Sequence, residues 1–297
     1  MRKYIFKIVL FFAIVALIDI LFGAACDYLY NHSKGGDTYK IKYAVKDGHA
    51  DVLIMGSSRA NRHYNPNIFA DSLGMTAYNL GIDGSGAILA DGLYRLISER
   101  YSPKYIIYEL TPSFDFYQYS GDANNTRYLS QLKPYYLEKS IFDVFDDVEK
   151  NERVKLKSGL YRYNTSFLNL VRFYFTGGGS VNGYSPLYGQ MKSFEKMESD
   201  GNHNVIDPLK IKYLKQLIAD CERGGTQLFF VISPKFGAES SDEYAPGIEI
   251  CEQSGYMVID HFCDMQEMDY FNDSYHLNSF GSDAFSRMIV KEIKQLM

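Results

Sequence analysis

Three short stretches of the 297-residue chain hold groups that could act together. A serine hydroxyl is a poor nucleophile until an imidazole takes its proton, and the imidazole works best when a carboxylate fixes its tautomer. Asp273-Ser274-Tyr275-His276 supplies a base and a carboxylate three residues apart. On one turn both side chains can point the same way, with the carboxylate on the ring nitrogen that faces away from the serine. The serine itself is Ser58, in Asp51-Val52-Leu53-Ile54-Met55-Gly56-Ser57-Ser58-Arg59, where an apolar run ends and Gly56 permits a tight turn. Each group also has an ordinary reading, Ser58 as a loop residue and His276 as a capping or core histidine. Their combination is what points to nucleophilic chemistry.

A third stretch, Tyr78-Asn79-Leu80-Gly81-Ile82-Asp83-Gly84-Ser85-Gly86, is rich in glycine. Acyl transfer develops negative charge on a carbonyl oxygen, and backbone N–H groups held in a glycine turn before a helix can stabilise it. The spacing Gly81-x-x-Gly84-x-Gly86 is not the dinucleotide pattern Gly-x-Gly-x-x-Gly, so a merely tight turn is the competing reading. Arg59, Arg62 and His63 crowd the residues after Ser58, and Lys235 follows Ser233-Pro234. These read either as solvated loops or as anchors for an anionic or hydroxyl-rich substrate. His32, His49, His203 and His261 are scattered without metal-ligand spacing, so neither a catalytic metal nor a cofactor is expected.

The elements that must hold these groups follow an alternation of apolar runs and amphipathic stretches, the pattern of an α/β fold with a parallel sheet. Strands are predicted at Asp51 to Met55, Thr76 to Leu80, Tyr105 to Leu110, Gln227 to Ser233 and Tyr256 to Asp260. Leu228-Phe229-Phe230-Val231-Ile232 is apolar without alternation, as for a strand buried on both faces. Asp207-Pro208 reads as the start of a helix that Gly224-Gly225 ends, and Phe285, Met288, Ile289 and Ile293 mark a C-terminal helix. Residues 112–206 break the alternation and read as an insertion containing helices, for example Ser140 to Glu149. It is either a surface embellishment or a groove wall, since tyrosine stacks on sugar faces and hydrogen-bonds through its hydroxyl.

The start of the chain is of another kind. Arg2, Lys3 and Lys7 precede an apolar run from Ile8 to Ala25, interrupted only by Asp19, long enough for one membrane span with the basic flank inside. A cleaved signal peptide, or a lipoprotein modified at Cys26, competes with an anchor. The expected division is residues 1–26 as anchor or signal, 27–48 as linker and 49–297 as one domain. A net charge of -5 without a basic face gives no reason to expect nucleic acid. Cys26, Cys221, Cys251 and Cys263 are too few for a disulfide scaffold, leaving a Cys251–Cys263 bridge as one option and two free thiols as the other.

Together the three segments resemble the SGNH, or GDSL, hydrolase superfamily. Gly56-Ser57-Ser58 is similar to its first block, Gly-Asp-Ser, with Ser57 in place of the aspartate and Ser58 aligned to the nucleophile. Asn79 to Gly84 is similar to the second block, whose glycine, here Gly84, lends a backbone donor. Asp273 and His276 match the Asp-x-x-His of the last block, and Leu277-Asn278 and Gly281 fit its continuation. The third block, Gly-x-Asn-Asp, is missing: Glu109-Leu110-Thr111-Pro112-Ser113 stands there, with Ser113 nearest the place of the oxyanion asparagine. The resemblance covers Asp51 to Leu110 and Gln227 to Met297. It implies a three-layer α/β/α sandwich with a flavodoxin-like parallel sheet and a triad of Ser58, His276 and Asp273. An oxyanion hole from Ser58, Gly84 and Ser113, and substrate contacts from Arg59, Asn79 and Lys235, would complete the site. Superfamily members that act on envelope polymers, such as teichoic-acid D-alanylation and alginate O-acetylation proteins, are similar in layout. That layout implies an envelope glycan or a small acylated substrate, a membrane anchor, and an acyl donor protein in the membrane. A non-catalytic module that binds a glycan or an assembly partner is the alternative.

Overall fold

The computed structural model of the chain describes residues 1–118, 125–178, 180–194 and 205–297. His203, Gly179 and parts of the expected insertion lie outside these. Five strands, β1 (Val52–Gly56), β2 (Ala77–Asn79), β3 (Tyr105–Glu109), β4 (Gln227–Ile232) and β5 (Val258–Asp260), pair in parallel in the order β2-β1-β3-β4-β5. The protein is thus α/β with a parallel sheet, and each strand falls where the apolar runs placed it.

The sheet is buried on both faces, which explains why its strands do not alternate in polarity. Leu53, Met55, Ile106, Tyr108, Leu228 and Phe230 turn into one core, while Val52, Ile54, Ile107, Phe229 and Val231 turn into another. Between the strands run α3 (Ser58–His63), α4 (Pro66–Leu73) and α5 (Ala87–Ser98); α11 (Pro208–Gly224), α12 (Ala245–Gln253) and α13 (Ser279–Leu296) come later. α5 and α11 supply Leu93, Ile97, Leu214 and Ile218 to the first core; α4 and α13 supply Phe69, Phe285 and Ile289 to the second. Asp207 caps α11 through the Leu209 N–H at 2.9 Å, and Asn278 caps α13 through the Gly281 N–H at 3.0 Å.

One expectation requires correction. The segment 27–48 is not a linker. α1 (Arg2–Asn31) runs on through Cys26 without a break, and α2 (Gly36–Lys42) and a π turn at Tyr43–Asp47 follow it. Tyr30, Ile41, Ala44 and Val45 enter the main core. Lys42 buries its apolar stem here while its Nζ donates to the Asn31 and Ser33 carbonyls at 2.9 and 3.0 Å. The insertion, left open above between a surface embellishment and a groove wall, packs into the domain. Its short helices are α6 (Pro112–Asp115), α7 (Phe142–Val148), α8 (Glu152–Lys155), α9 (Gly159–Tyr163) and α10 (Phe167–Phe175). The insertion as a whole places Leu129, Leu132, Ile141, Phe145, Leu156 and Leu170 in the main core, only Phe145 and Leu170 of them from these helices. Its neck is closed by Gln118 N–H to the Val205 carbonyl at 2.8 Å and Asp207 N–H to the Phe116 carbonyl at 2.9 Å.

All four cysteines are free; Cys251 is buried and Cys263 exposed, so the bridge is absent. Cys26 is fully buried within α1, a position from which a lipid-modified thiol would have to leave the core. α1 is one helix long and apolar enough to cross a membrane.

Candidate functional site

The site is assembled where β1, β2 and β3 end and the last helix begins. Gly56 closes β1 with φ of 132°, and a Cβ there would lie 2.6 Å from the Glu109 carbonyl oxygen, so only glycine fits. The chain then turns directly into α3. Ser57 is the buried residue before that helix, its hydroxyl 2.7 Å from that of Thr111. Ser58, the first residue of α3, is half-buried, and its Oγ lies 2.9 Å from His276 Nε2.

His276 and Asp273 are held by a tight turn ahead of α13. Asp273 Oδ1 accepts the backbone N–H groups of Tyr275 and His276, both at 2.9 Å, and Phe271 bridges Leu277 across the turn. The Asp273 oxygens stand 3.0 and 3.1 Å from His276 Nδ1. Burial raises the Asp273 pKa, but the His276 bond and charge, with the Tyr275 N–H, outweigh it and hold the carboxyl down at about 2. Ser58 lies more than two hundred residues from His276 and Asp273 in the chain, yet the three form one continuous hydrogen-bonded row.

The glycine loop is stitched over the end of β1. Leu80 N–H donates to the Ile54 carbonyl at 2.7 Å and Ile82 N–H to that of Gly56 at 3.0 Å. Gly81 presses on α3, since a Cβ there would meet Asn61 N at 2.4 Å. Gly84 has φ of 69°, and its carbonyl accepts Arg127 Nη2 at 3.0 Å. Neither the Ser58 N–H nor the Gly84 N–H has a backbone acceptor among the described residues.

Other expected residues are placed elsewhere. Asn79 is fully buried and its amide is consumed internally: Nδ2 donates to the Ala60 and Tyr64 carbonyls at 2.7 and 2.9 Å, and Oδ1 accepts the Gly81 N–H at 3.0 Å. It fastens the glycine loop to α3 and faces no substrate. Arg59 points inward as well, its Nε 3.2 Å from Glu109 Oε1 and its Nη1 bonded to the Tyr244 hydroxyl. Ser113 sits in α6 with its carbonyl accepting Lys210 Nζ at 2.8 Å, and its hydroxyl bonds neither Ser58 nor His276. Lys235 does stay at the rim, with Nζ 4.8 Å from the ring centre of Tyr275, inside the Asp273–His276 turn.

Beneath the row lies a network that holds His63, neither a solvated loop residue nor a substrate anchor but fully buried. His63, the last residue of α3, accepts the Leu277 N–H on Nε2 at 3.0 Å, and its Nδ1 lies 2.7 Å from Ser233 Oγ. The Ser233 hydroxyl donates to Glu109 Oε1 at 2.7 Å, and Tyr64 donates to Glu109 Oε2. With Nε2 accepting, the proton sits on Nδ1 and the ring is neutral. Burial first, then the charges of Arg59 and His276, press the His63 pKa well below its ordinary value. Glu109 could have been singled out in the sequence: a carboxylate ending an apolar interior strand must find a partner.

Two further buried groups fix the loops. Asp115 accepts the Ala87 N–H at 2.8 Å and the Thr111 N–H at 2.6 Å, tying the glycine loop's helix to the end of β3. Burial pushes its carboxyl up to about 7 against those bonds. Lys40 of α2 donates to Asn61 Oδ1 at 2.8 Å and to the Gly81 carbonyl at 2.5 Å. Burial pulls the Lys40 ammonium down to about 7, with Asp37 and Asp83 opposing. Among the described residues no group of three or more His, Cys, Asp or Glu side chains is arranged to hold a metal ion.

No protein-family model matches the chain, and no curated protein matches it.

Proposed function

We propose that the protein is a serine-dependent acyl-transfer or ester-hydrolysing enzyme of the SGNH type, acting on an envelope glycan or a related acylated substrate. In this reading the fold is a three-layer, flavodoxin-like sandwich. α1 anchors it in the cytoplasmic membrane with the α/β domain outside, within reach of a membrane-bound acyl donor protein. The observation that carries the reading is the row from Ser58 Oγ through His276 to Asp273, with contacts of 2.9 and 3.0 Å.

His276 Nε2 takes the Ser58 proton as Oγ attacks the ester carbonyl, and the carbonyl π pair moves onto oxygen. The Ser58 and Gly84 N–H groups are the candidate donors for that oxyanion. Collapse expels the alcohol, which takes the proton back from His276 and leaves an acyl group on Ser58. Water or a sugar hydroxyl, deprotonated by His276, then attacks the acyl carbonyl and restores the serine. Asp273, ionised at neutral pH, holds the tautomer and stabilises the imidazolium.

The test is a product analysis. The full chain in detergent, given a small acetyl ester, is expected to release acetate slowly, and an added polysaccharide acceptor to divert product from acetate to acylated glycan. Ser58→Ala should abolish both products. The missing third-block asparagine favours one other reading, a binding module that has kept the fold; absence of any acyl cleavage would select it.

A further inference from the structure

α1 does not hang from the domain as a tether; the insertion grips it. Asp19, the one charge in the apolar run, accepts the Ser158 hydroxyl at 2.7 Å and the Leu160 N–H at 2.8 Å on one oxygen, and the Gly159 N–H at 3.2 Å on the other. One turn further on, the helices touch through glycines: a Cβ on Gly159 would lie 2.4 Å from the Gly23 Cα. Such close backbone approach suits helix pairing in an apolar medium. Asp27 then takes Arg162 Nη2 at 2.9 Å and the Tyr163 hydroxyl at 2.5 Å.

α10 continues the contact outward. Phe167 packs on Phe22 with ring centres 5.2 Å apart, Tyr174 on Tyr28 at 6.0 Å, and the Phe173 carbonyl accepts the Lys34 N–H at 2.7 Å. The exposed apolar surface of α1 extends from Tyr4 to Leu21. At about 1.5 Å per residue that stretch spans about 27 Å, close to a hydrocarbon core of about 30 Å. Asp19 and Phe22 lie at the end of that stretch nearer the α/β domain, which on the anchoring reading above is the edge of the bilayer. Leu160, whose N–H meets Asp19, and Leu168, next to Phe167, stand at that edge with 43% and 78% of their surface exposed.

We propose that Ser158 to Phe175 is a membrane footing: Leu160 and Leu168 enter the lipid interface, and Asp19 is the latch that fixes the footing to the anchor. The proposal rests on the anchoring part of the reading above and not on its chemistry. A domain seated this way keeps one orientation and height over the membrane, which favours a substrate or donor held there.

The chain contains no tryptophan, so single-tryptophan variants report directly. Leu160→Trp, Leu168→Trp, Val15→Trp in the span and Met257→Trp beside β5 would be placed in the full chain. Each would be reconstituted into phosphatidylcholine–phosphatidylglycerol vesicles with brominated acyl chains. Quenching at Leu160→Trp and Leu168→Trp is expected to reach at least half that at Val15→Trp, with Met257→Trp unquenched. Adding Asp19→Ala should cut the Leu160→Trp quenching roughly twofold or more, as the Ser158 hydroxyl and the Gly159 and Leu160 N–H groups lose their acceptor on α1. Quenching at both leucine positions no greater than at Met257→Trp, with Val15→Trp quenched, overturns the footing and leaves the anchor standing. An unquenched Val15→Trp removes the anchor and the footing with it. Undiminished quenching after Asp19→Ala removes the latch.

Discussion

His63 offers the sharpest perturbation, because α3 begins with the proposed nucleophile and ends with the clamp on the residue after the proposed base. In His63→Phe the buried Leu277 N–H loses its acceptor, at about 1–3 kcal/mol, and the bond to Ser233 is lost at about 1 kcal/mol more. In His63→Gln the amide oxygen can still accept from Leu277, so only the smaller loss is expected. Phenylalanine should therefore cost about 2–4 kcal/mol in urea unfolding and glutamine about 1 kcal/mol. Labelling by a serine-directed fluorophosphonate, measured where both variants are folded, should slow about 10- to 100-fold in His63→Phe as His276 loses its register. His63→Gln should stay near wild type.

The same residue has a pH signature. Its folded pKa lies well below the ordinary 6.5, so below that pH the unfolded chain binds the extra proton. The stability it contributes is present above 6.5 and lost as pH falls towards the folded value, with a limiting slope of about 1.4 kcal/mol per pH unit. Asp115, raised from 3.8 to about 7, acts in the opposite sense, contributing stability at low pH that is lost as pH rises through that interval. The wild-type minus His63→Gln difference isolates the histidine and should shrink as pH falls below 6.5. A flat difference, or equal labelling by the phenylalanine and glutamine variants, would refute the clamp.

Three more outcomes are expected. Gly56→Ala should destabilise the fold by more than about 2 kcal/mol, because φ is positive and the methyl meets the Glu109 carbonyl; thermal unfolding tests it. Glu109→Ala should cost about 3–5 kcal/mol by stranding Arg59 in the core, and Arg59→Met should be milder than that in the same denaturation assay. Lys40→Met should lower labelling without abolishing it, since Lys40 holds Asn61 and Gly81 behind the loop rather than facing the serine.

The parallel sheet was legible because fully buried strands leave apolar runs such as Leu228 to Ile232 that nothing else explains. The Ser58–His276–Asp273 row was legible because its members come in short, chemically typed segments. Arg59, open between a loop residue and an anchor, and Asn79, a substrate contact only by the resemblance, both turn inward. In the structure a buried carboxylate receives the guanidinium, and backbone carbonyls receive the amide. His63, Ser233 and Glu109 could not be grouped from sequence, since the partners lie 124 and 170 residues apart. The insertion's grip on α1 was hidden likewise, although Asp19 in an apolar run marked a charge that needed a partner.

The central claim is that Ser58 is the activated nucleophile. Labelling the full chain with a fluorophosphonate and mapping the modified peptide tests it most directly. The expected result is modification at Ser58, abolished by Ser58→Ala and by His276→Ala and retained in Ser57→Ala. Modification at Ser57, or none at any serine of a folded protein, would contradict it.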